Sequence, residues 1–210
     1  MRIDIGKRSI TDLVARQLDS LFFLEEGDQD LLARVMPDVL LRVERCFAQA
    51  SNKYYRRDGE VYFSPWHSGQ YTIFLYFLAN TLFVADRNAH RALADKLYYL
   101  NRALNGLDLY YEVEMPDIFF LDHPLGSVIG RGVFGNFFTF SQQCTVGNNH
   151  GVYPVFGERV TMLSGAKVIG KCHIGDDVVL AANCYVKDTD IPANSLVFGQ
   201  SPDLVIKPRR

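Results

Sequence analysis

Large apolar residues recur every six positions between Val128 and Val186. They form two series: Val128, Phe134, Phe140 and Val146, then Phe156, Met162, Val168, Ile174, Leu180 and Val186. A second position, two residues before the large one, is mostly small: Gly132, Phe138, Cys144, Val160, Ala166, Cys172, Val178 and Cys184. Neither the 3.6-residue period of an α-helix nor the 2-residue period of a strand explains this spacing. It predicts a parallel β-helix, in which coils of three short strands enclose a stack of side chains. The alternative is an all-β sandwich whose strands happen to align.

The two series are out of phase, because Val146 and Phe156 are ten residues apart rather than six. We therefore expect an insertion around residues 147–155. An irregular, polar segment on a rigid scaffold is a common place for specificity.

The first hundred residues show helical spacing and no six-residue period. Four helices are predicted, from Ser9 to about Leu24, from Gly27 to about Ala50, from Gln70 to Phe83, and from Asn88 to a C-terminal cap at Gly106. Pro37 is expected to kink the second helix or to split it. The third is apolar on all sides, so we expect it either at the centre of a helical domain or in a subunit interface. A loop containing Asp58 and Gly59 is expected between the second and third helices.

The composition changes after Gly106, which predicts an α+β protein with a helical domain at 1–106 and a β-helix domain at 107–210. The repeats end near Pro192. Two extended segments, Ser195 to Gly199 and Pro202 to Ile206, are expected to cap the last coil, because a terminal coil would otherwise expose open strand edges.

Charge and cysteine content narrow the class of function. The 22 Lys and Arg against 24 Asp and Glu give a net charge of −2, so no basic field is available for nucleic acid or an anionic membrane. Cys144, Cys172 and Cys184 share the small inward position, where a thiol packs as a compact apolar group. The longest apolar stretch is too short to span a bilayer, and Met1 to Ile10 lacks a signal-peptide core. These features predict a cytoplasmic protein.

Three stretches resemble the serine O-acetyltransferases among the hexapeptide-repeat acyltransferases. They are Phe120-Leu-Asp-His-Pro-Leu-Gly126, similar to the family's catalytic LDHATG box, Ser164-Gly-Ala-Lys-Val-Ile-Gly170, and Val186-Lys-Asp-Thr-Asp-Ile-Pro192 with Val197-Phe-Gly199. The resemblance implies a left-handed parallel β-helix and acetyl transfer from acetyl-CoA to a small hydroxyl acceptor, with L-serine as the default and a role in cysteine biosynthesis.

The same resemblance assigns catalytic roles. His123 is expected to be the general base that deprotonates the acceptor hydroxyl, since an imidazole can take a proton near pH 7. Asp108, fifteen residues earlier, matches the family's aspartate that orients this histidine. Asp122 and Asp58 are expected to bind the acceptor.

The chain departs from the family in the loop Thr145-Val-Gly-Asn-Asn-His150-Gly-Val-Tyr153-Pro154. The family has an Arg-His-Pro element here whose histidine lines the acceptor pocket, and this chain is about four residues shorter. Tyr153 stands at that histidine's position relative to the proline, and His150 lies three residues earlier. Either side chain is a candidate for the acceptor site.

The resemblance also implies how acetyl-CoA is bound. Hexapeptide enzymes hold it in the cleft between neighbouring prisms of a trimer, so a homotrimer or a dimer of trimers is expected. Ala166 and Ala182 match positions where the main chain faces the pantetheine arm. Lys187 and the tail from Lys207 to Arg210 are candidates for the CoA phosphates.

Three other functions stay open at this point. The acceptor could be a sugar acetylated on oxygen or nitrogen in surface polysaccharide biosynthesis. A zinc site shared between subunits would need His123, His150 and His173, which have no close pair, so no metal is expected. A non-catalytic scaffold is disfavoured by the complete set of Asp108, Asp122 and His123.

Overall fold

The computed structural model describes residues 1–209, which form two compact units, Met1–Asn105 and a second that starts at Gly106. The helices of the first unit are α1 (Ile10–Leu21), α2 (Asp28–Ala48), α3 (Ser68–Ala85) and α4 (Arg91–Asn105). Ser9 caps α1, because its hydroxyl accepts a hydrogen bond from the Thr11 N–H at 3.1 Å. Gly106 follows α4 with a φ of 63°, as a C-terminal capping glycine should. The four predicted helices are confirmed.

Helix α2 continues through Pro37, so of the two expected effects the split is wrong, and the kink stays a prediction. A proline inside a helix removes one backbone hydrogen bond. Apolar residues on both sides of it, Met36 and Val39 among them, are fully or almost fully buried. This packing offsets the lost hydrogen bond, since tertiary burial supplies most of a helix's stability.

Helix α3 is the centre of the first unit. Fourteen of its eighteen residues are buried, on all sides of the helix. Its polar residues have partners: the Gln70 side chain bonds the Ser64 N–H and the Tyr54 carbonyl oxygen at 2.7 and 2.8 Å. Of the two expected locations for this helix, the domain centre is confirmed.

A small sheet stands where the sequence predicted only a loop. It contains β1 (Arg2–Ile3), β2 (Arg56–Arg57) and β3 (Glu60–Phe63), with β3 in the middle. Asp58 and Gly59 join β2 to β3 with φ values of 54° and 83°. Two consecutive residues with positive φ are typical of the tight turn that closes a hairpin.

The second unit is a parallel β-helix. Its strands are β4 (Asp108–Leu109), β5 (Phe119–Leu121), β6 (Val128–Ile129), β7 (Val133–Phe134), β8 (Phe138–Phe140), β9 (Thr145–Gly147), β10 (Val155–Phe156), β11 (Thr161–Met162), β12 (Lys167–Ile169), β13 (His173–Ile174), β14 (Val179–Leu180), β15 (Tyr185–Lys187), β16 (Ser195–Gln200) and β17 (Asp203–Pro208). They stack into three faces: β7, β10 and β13; β5, β8, β11 and β14; and β4, β6, β9, β12 and β15. The predicted β-helix is confirmed, and its left-handed sense stays a prediction.

The register of the strands reproduces the sequence repeat. Phe140 pairs with Met162, which pairs with Leu180, so successive coils are 22 and then 18 residues long. The four additional residues lie in the irregular segment between β9 and β10, as the phase jump predicts. Large residues of the two series from Phe134 onward are buried, and the rings of Phe134 and Phe156 stack at 5.1 Å.

Val128 is an exception to the predicted inward series. It is 45% exposed, whereas Ile129 is 2% exposed and pairs with Val146 of the next coil. The prediction for Val128 is wrong because the turn from Gly130 to Gly132 is one residue short, which shifts the six-residue register.

The end of the chain caps the β-helix as expected. Strand β16 pairs in parallel with β14 and β15, and β17 folds back on it as an antiparallel partner. Within residues 1–209, no helix combines the length and apolar character that a membrane crossing requires.

Candidate active site

His123 lies in the turn after β5, with a φ of 51°. This left-handed conformation is costly for a residue with a side chain, and other turns of the β-helix, such as those at Gln143 and Asn183, have it too. Its side chain is 85% exposed, and Nε2 lies 3.7 Å from Oδ1 of Asp122, which is itself 72% exposed. On a regular strand these neighbours would point to opposite faces. Because the strand ends at Leu121, both groups instead reach solvent together, as an imidazole beside a carboxylate.

Asp108 is held next to the turn that carries His123. Its N–H donates to the carbonyl oxygen of Ser127 at 3.0 Å, and the Gly126 N–H donates to Gly106 at 2.8 Å. Within the turn, the Leu125 N–H donates to the carbonyl oxygen of His123 at 2.8 Å. These bonds fasten the turn to the start of β4, as a pair formed by Asp108 and His123 would require. The pair itself stays a prediction.

A cleft of about 420 Å³ opens beside Asp108. Its lining consists of Asp108, Tyr110, Val113, Val128, Ile129, Gly130, Arg131, Gly147, Asn148 and Tyr153. Two predicted site residues, Asp108 and Tyr153, therefore share one cleft. Among the described residues, His123, Asp122 and His150 are not part of its lining.

Arg131 is a residue of this cleft that the sequence analysis missed. Its Nη2 donates to Glu112 Oε2 at 3.1 Å. The pKa of Arg131 is raised, first by its side-chain hydrogen bond with Tyr153 and then by the one with Glu112. The length of the coil could have predicted this contact. Val133 pairs with Val155, so this coil has 22 residues, and the same offset places Arg131 beside Tyr153.

The inserted segment, residues 148–154, is fixed to the β-helix at a second point. The Asn149 Nδ2 donates to Asp188 Oδ2 at 2.6 Å. The pKa of Asp188 is lowered, mainly because the Lys171 N–H donates to its carboxylate, with smaller effects of Asn149 and of the nearby His150. His150 is thus exposed on the Asp188 side of the segment. Tyr153 lines the cleft beside Asp108 and His150 does not, and a role of either residue in acceptor binding stays a prediction.

The residues expected to bind acetyl-CoA lie on the β-helix. Ala166 is buried, and both its N–H and its carbonyl oxygen already bond within the coils. Ala182 is exposed at the same corner in the next coil, and Lys187 is exposed on β15. The Lys207 Nζ lies 5.7 Å from the centre of the Phe198 ring. Arg210, also in the expected phosphate-binding tail, lies outside the described residues.

Asp58 belongs to the helical unit. It occupies the tight turn between β2 and β3, and its Oδ2 accepts from Arg2 Nη1 at 3.2 Å. Its expected role in acceptor binding stays a prediction.

Metal binding finds no support within one chain. Among residues 1–209, no three His, Cys, Asp or Glu side chains are grouped as metal ligands. A zinc ion shared between subunits would need a different arrangement, and it stays an untested alternative.

Comparison with known proteins gives one consistent family. No family model matches the chain. The serine acetyltransferase of Helicobacter pylori strain 26695 is 29% identical over 148 residues, which cover 68% of this chain and 84% of that protein. The serine acetyltransferase of Mycobacterium tuberculosis is 32% identical over 114 residues, 52% of this chain and 49% of that protein.

Solved structures share the fold. A serine acetyltransferase in complex with CoA matches 94% of this chain and 82% of its own, with a TM-score of 0.70 and 20% identity. The Neisseria gonorrhoeae serine acetyltransferase in complex with serine matches 96% of this chain and 84% of its own, with a TM-score of 0.67 and 21% identity.

Proposed function

We propose that this chain, a serine O-acetyltransferase-like acyltransferase of the hexapeptide-repeat type, is an acetyltransferase that uses acetyl-CoA. It transfers the acetyl group to the hydroxyl of a small acceptor, first of all L-serine. The exposed imidazole of His123 beside the Asp122 carboxylate is the observation on which the proposal rests. The similarity to proteins named serine acetyltransferase favours an amino acid over a sugar as acceptor and suggests a role in cysteine biosynthesis.

The proposed reaction is a direct transfer between the two substrates. His123 takes the proton of the acceptor hydroxyl as its oxygen attacks the thioester carbonyl carbon. The tetrahedral intermediate then breaks its carbon–sulfur bond, and the imidazolium returns the proton to the sulfur, which leaves as the free thiol of CoA. Asp108 orients the imidazole and stabilises its charged form, and Asp122 contacts the acceptor.

The proposed site for acetyl-CoA is the groove between two neighbouring prisms of a trimer. Ala182 is exposed at a corner of the β-helix, and its small side chain allows close approach of the pantetheine arm. The small side chain of Ala166 packs inside the β-helix at the same corner of the preceding coil. Lys187 and Lys207 are available for the CoA phosphates, because both are exposed on the outer surface.

We place this reaction in the cytoplasm. The four cysteines, which include Cys144, Cys172 and Cys184, are buried free thiols. Free thiols are typical of a reducing compartment. Burial also raises the pKa of the Cys184 thiol to about 11, which keeps it protonated and unreactive.

His123→Ala tests the proposal. Release of free thiol from acetyl-CoA is measured with L-serine, with other hydroxyl amino acids and with an amino sugar. Loss of a general base typically lowers kcat by about 10²–10⁴-fold, and the acetyl-CoA KM should change little. Asp108→Asn should lower kcat less, because it disturbs only the orientation of the base. The proposal fails if the folded His123→Ala protein keeps the wild-type kcat with its best acceptor.

A further inference from the structure

We infer that Arg131 determines which acceptor is used, by binding the carboxylate of a hydroxyl-bearing acid, and that Tyr153 and Glu112 hold its guanidinium in place for this task. The inference rests on the proposed function, since it places the acceptor of that reaction against the cleft that Asp108 lines and names the acceptor's chemical class. It goes beyond that function because it names a residue of the β6–β7 turn as the source of specificity.

Charge at the cleft is the first argument. Arg131 is the one cationic side chain among the ten residues of the lining within the described chain. Its side chain is 60% exposed, whereas that of its partner Glu112 is 21% exposed. Glu112 therefore approaches the guanidinium from the protein side and leaves its outer edge open to a ligand.

The geometry of the guanidinium is the second argument. Arginine has five N–H donors in a fixed plane, which suits a carboxylate with two oxygens. Glu112 accepts a hydrogen bond from Nη2 of Arg131 at 3.1 Å, and Tyr153 forms a side-chain hydrogen bond with the same guanidinium. The remaining donors are available to a bound carboxylate. A neutral sugar would gain far less from this cation.

Pre-organisation is the third argument. Arg131 follows Gly130 in a tight turn, and a side chain added at Gly130 would come within 2.7 Å of the Val146 carbonyl oxygen. The turn is therefore packed against the next coil. Tyr153 is fixed by its own segment, which Asn149 ties to Asp188. Residues from three coils thus place one cation at the rim of the cleft beside Asp108, and little entropy is lost on binding.

The test compares two acceptors that differ only in charge. Thiol release from acetyl-CoA is measured with L-serine and with L-serinamide, which lacks the carboxylate. In the wild type, serine should have the lower KM. Arg131→Gln should raise the KM for serine about 10- to 100-fold, the effect of losing hydrogen bonds to a charged group. The KM values for serinamide and for acetyl-CoA should stay within about twofold.

Two further variants separate binding from packing. Arg131→Lys keeps the charge without the planar fork and should restore part of the preference for serine. Arg159→Gln is the matched control, because this exposed arginine pairs with Asp177 outside the cleft and should leave both KM values unchanged. An equal loss with serine and serinamide in Arg131→Gln would show a purely structural role and overturn the inference.

Failure of the proposed function gives a different result. If the wild type acetylates no acceptor, the proposed function is wrong. Calorimetric titration of the wild type and of Arg131→Gln with L-serine then still tests the inference. Binding that is lost in the variant supports Arg131 as the carboxylate site. Binding that is equal in both proteins, or absent from the wild type, overturns it.

Discussion

His123, the proposed base, has a left-handed backbone conformation and an exposed side chain. The conformation costs about 1–2 kcal/mol for a residue with a side chain. It directs the imidazole to solvent beside Asp122, where an acceptor can reach it. The hydrogen bonds from β4 to the turn keep the conformation in place. Strain at one residue is thus maintained by the backbone of the neighbouring strand.

Tyr153 stands where the acetyltransferases that this chain resembles have a histidine, and this difference leads to a prediction. Tyr153→Phe should raise the acceptor KM about 2- to 13-fold, the value of one lost hydrogen bond, with the acetyl-CoA KM nearly unchanged. Steady-state thiol release measures both constants. His150→Ala is the control, because His150 lies outside the cleft lining, and it should leave the acceptor KM unchanged. Efficient acetylation of L-serine by a Tyr153→Phe protein indistinguishable from the wild type would contradict a role for this hydroxyl.

Single residues show how far the sequence could predict the site. The family resemblance predicts roles for Asp108 and His123, but the contact of Tyr153 with Arg131 depends on coil length. The six-residue repeat gives the correct length of this coil only when the four inserted residues are added to it. Arg131 itself stands between two glycines, Gly130 and Gly132, with no motif around it. It could be found only after Val133 was aligned with Val155.

At the scale of elements, the six-residue repeat predicted where the strands lie better than it predicted where each strand begins and ends. Apolar spacing located each inward position from Phe134 onward, because burial of one face sets the register of a strand. The same spacing failed at Val128, where a short turn shifts the register by one residue. The hairpin of β2 and β3 was missed because β2 consists of two exposed arginines and β3 has only four residues, too few to show apolar alternation.

Packing of the inserted segment can be tested at two glycines. Gly170 has a φ of +84°, and a Cβ there would lie 2.1 Å from Asp188 Oδ1 and 2.6 Å from the Asn149 Cβ. Gly151 has a φ of +79°, with nothing within 4 Å. Gly151→Ala should lower the free energy of unfolding by about 1–2 kcal/mol, the cost of the left-handed conformation alone. Gly170→Ala should cost more, because it also displaces Asn149 from Asp188.

Denaturant unfolding at neutral pH measures both glycine variants. Hydrogen exchange of residues 148–154 adds a local readout, and it should accelerate in Gly170→Ala alone. Equal losses of stability in the two variants would mean that the contact of Asn149 with Asp188 contributes nothing to the packing of the segment.

An ion pair between successive coils predicts a pH dependence. Arg159 donates to both oxygens of Asp177, from Nε and Nη2, at 2.9 Å each. The pair lowers the pKa of Asp177, mainly through these hydrogen bonds. A carboxyl with a lowered folded pKa stabilises the fold above its unfolded pKa, about 3.9, and loses this contribution as the pH falls through its folded pKa.

Arg159→Gln should therefore lower the Tm slightly at pH 7, and the difference from the wild type should vanish in strong acid. Asp177→Asn should give the same small decrease. Both side chains are partly exposed, so we expect a few degrees at most. Thermal unfolding followed by circular dichroism between pH 2 and 7 measures the effect. A difference that persists at the lowest pH would show that the variant acts through packing and not through the ion pair.

At the scale of the whole molecule, the change in composition after Gly106 predicts two domains, and the structure divides into Met1–Asn105 and a unit that starts at Gly106. The location of α3 was left open, because an entirely apolar helix fits a core and an interface equally well. The structure resolves this: α3 is buried within its own unit. The helix therefore gives no reason to expect a second interface between trimers.

The last prediction is a homotrimer or a multiple of it. One prism supplies a single wall of the proposed acetyl-CoA groove, so the site is incomplete in one chain. Two valines that point outward are also exposed to solvent. Val133 and Val155 pair on neighbouring strands and are 61% and 37% exposed. Exposed apolar side chains on neighbouring coils can contribute to association through closed symmetry. Light scattering during size exclusion should give a mass of at least three times 23.8 kDa at micromolar concentration. A stable monomer with full thiol-release activity would contradict both the trimer and a groove shared between subunits.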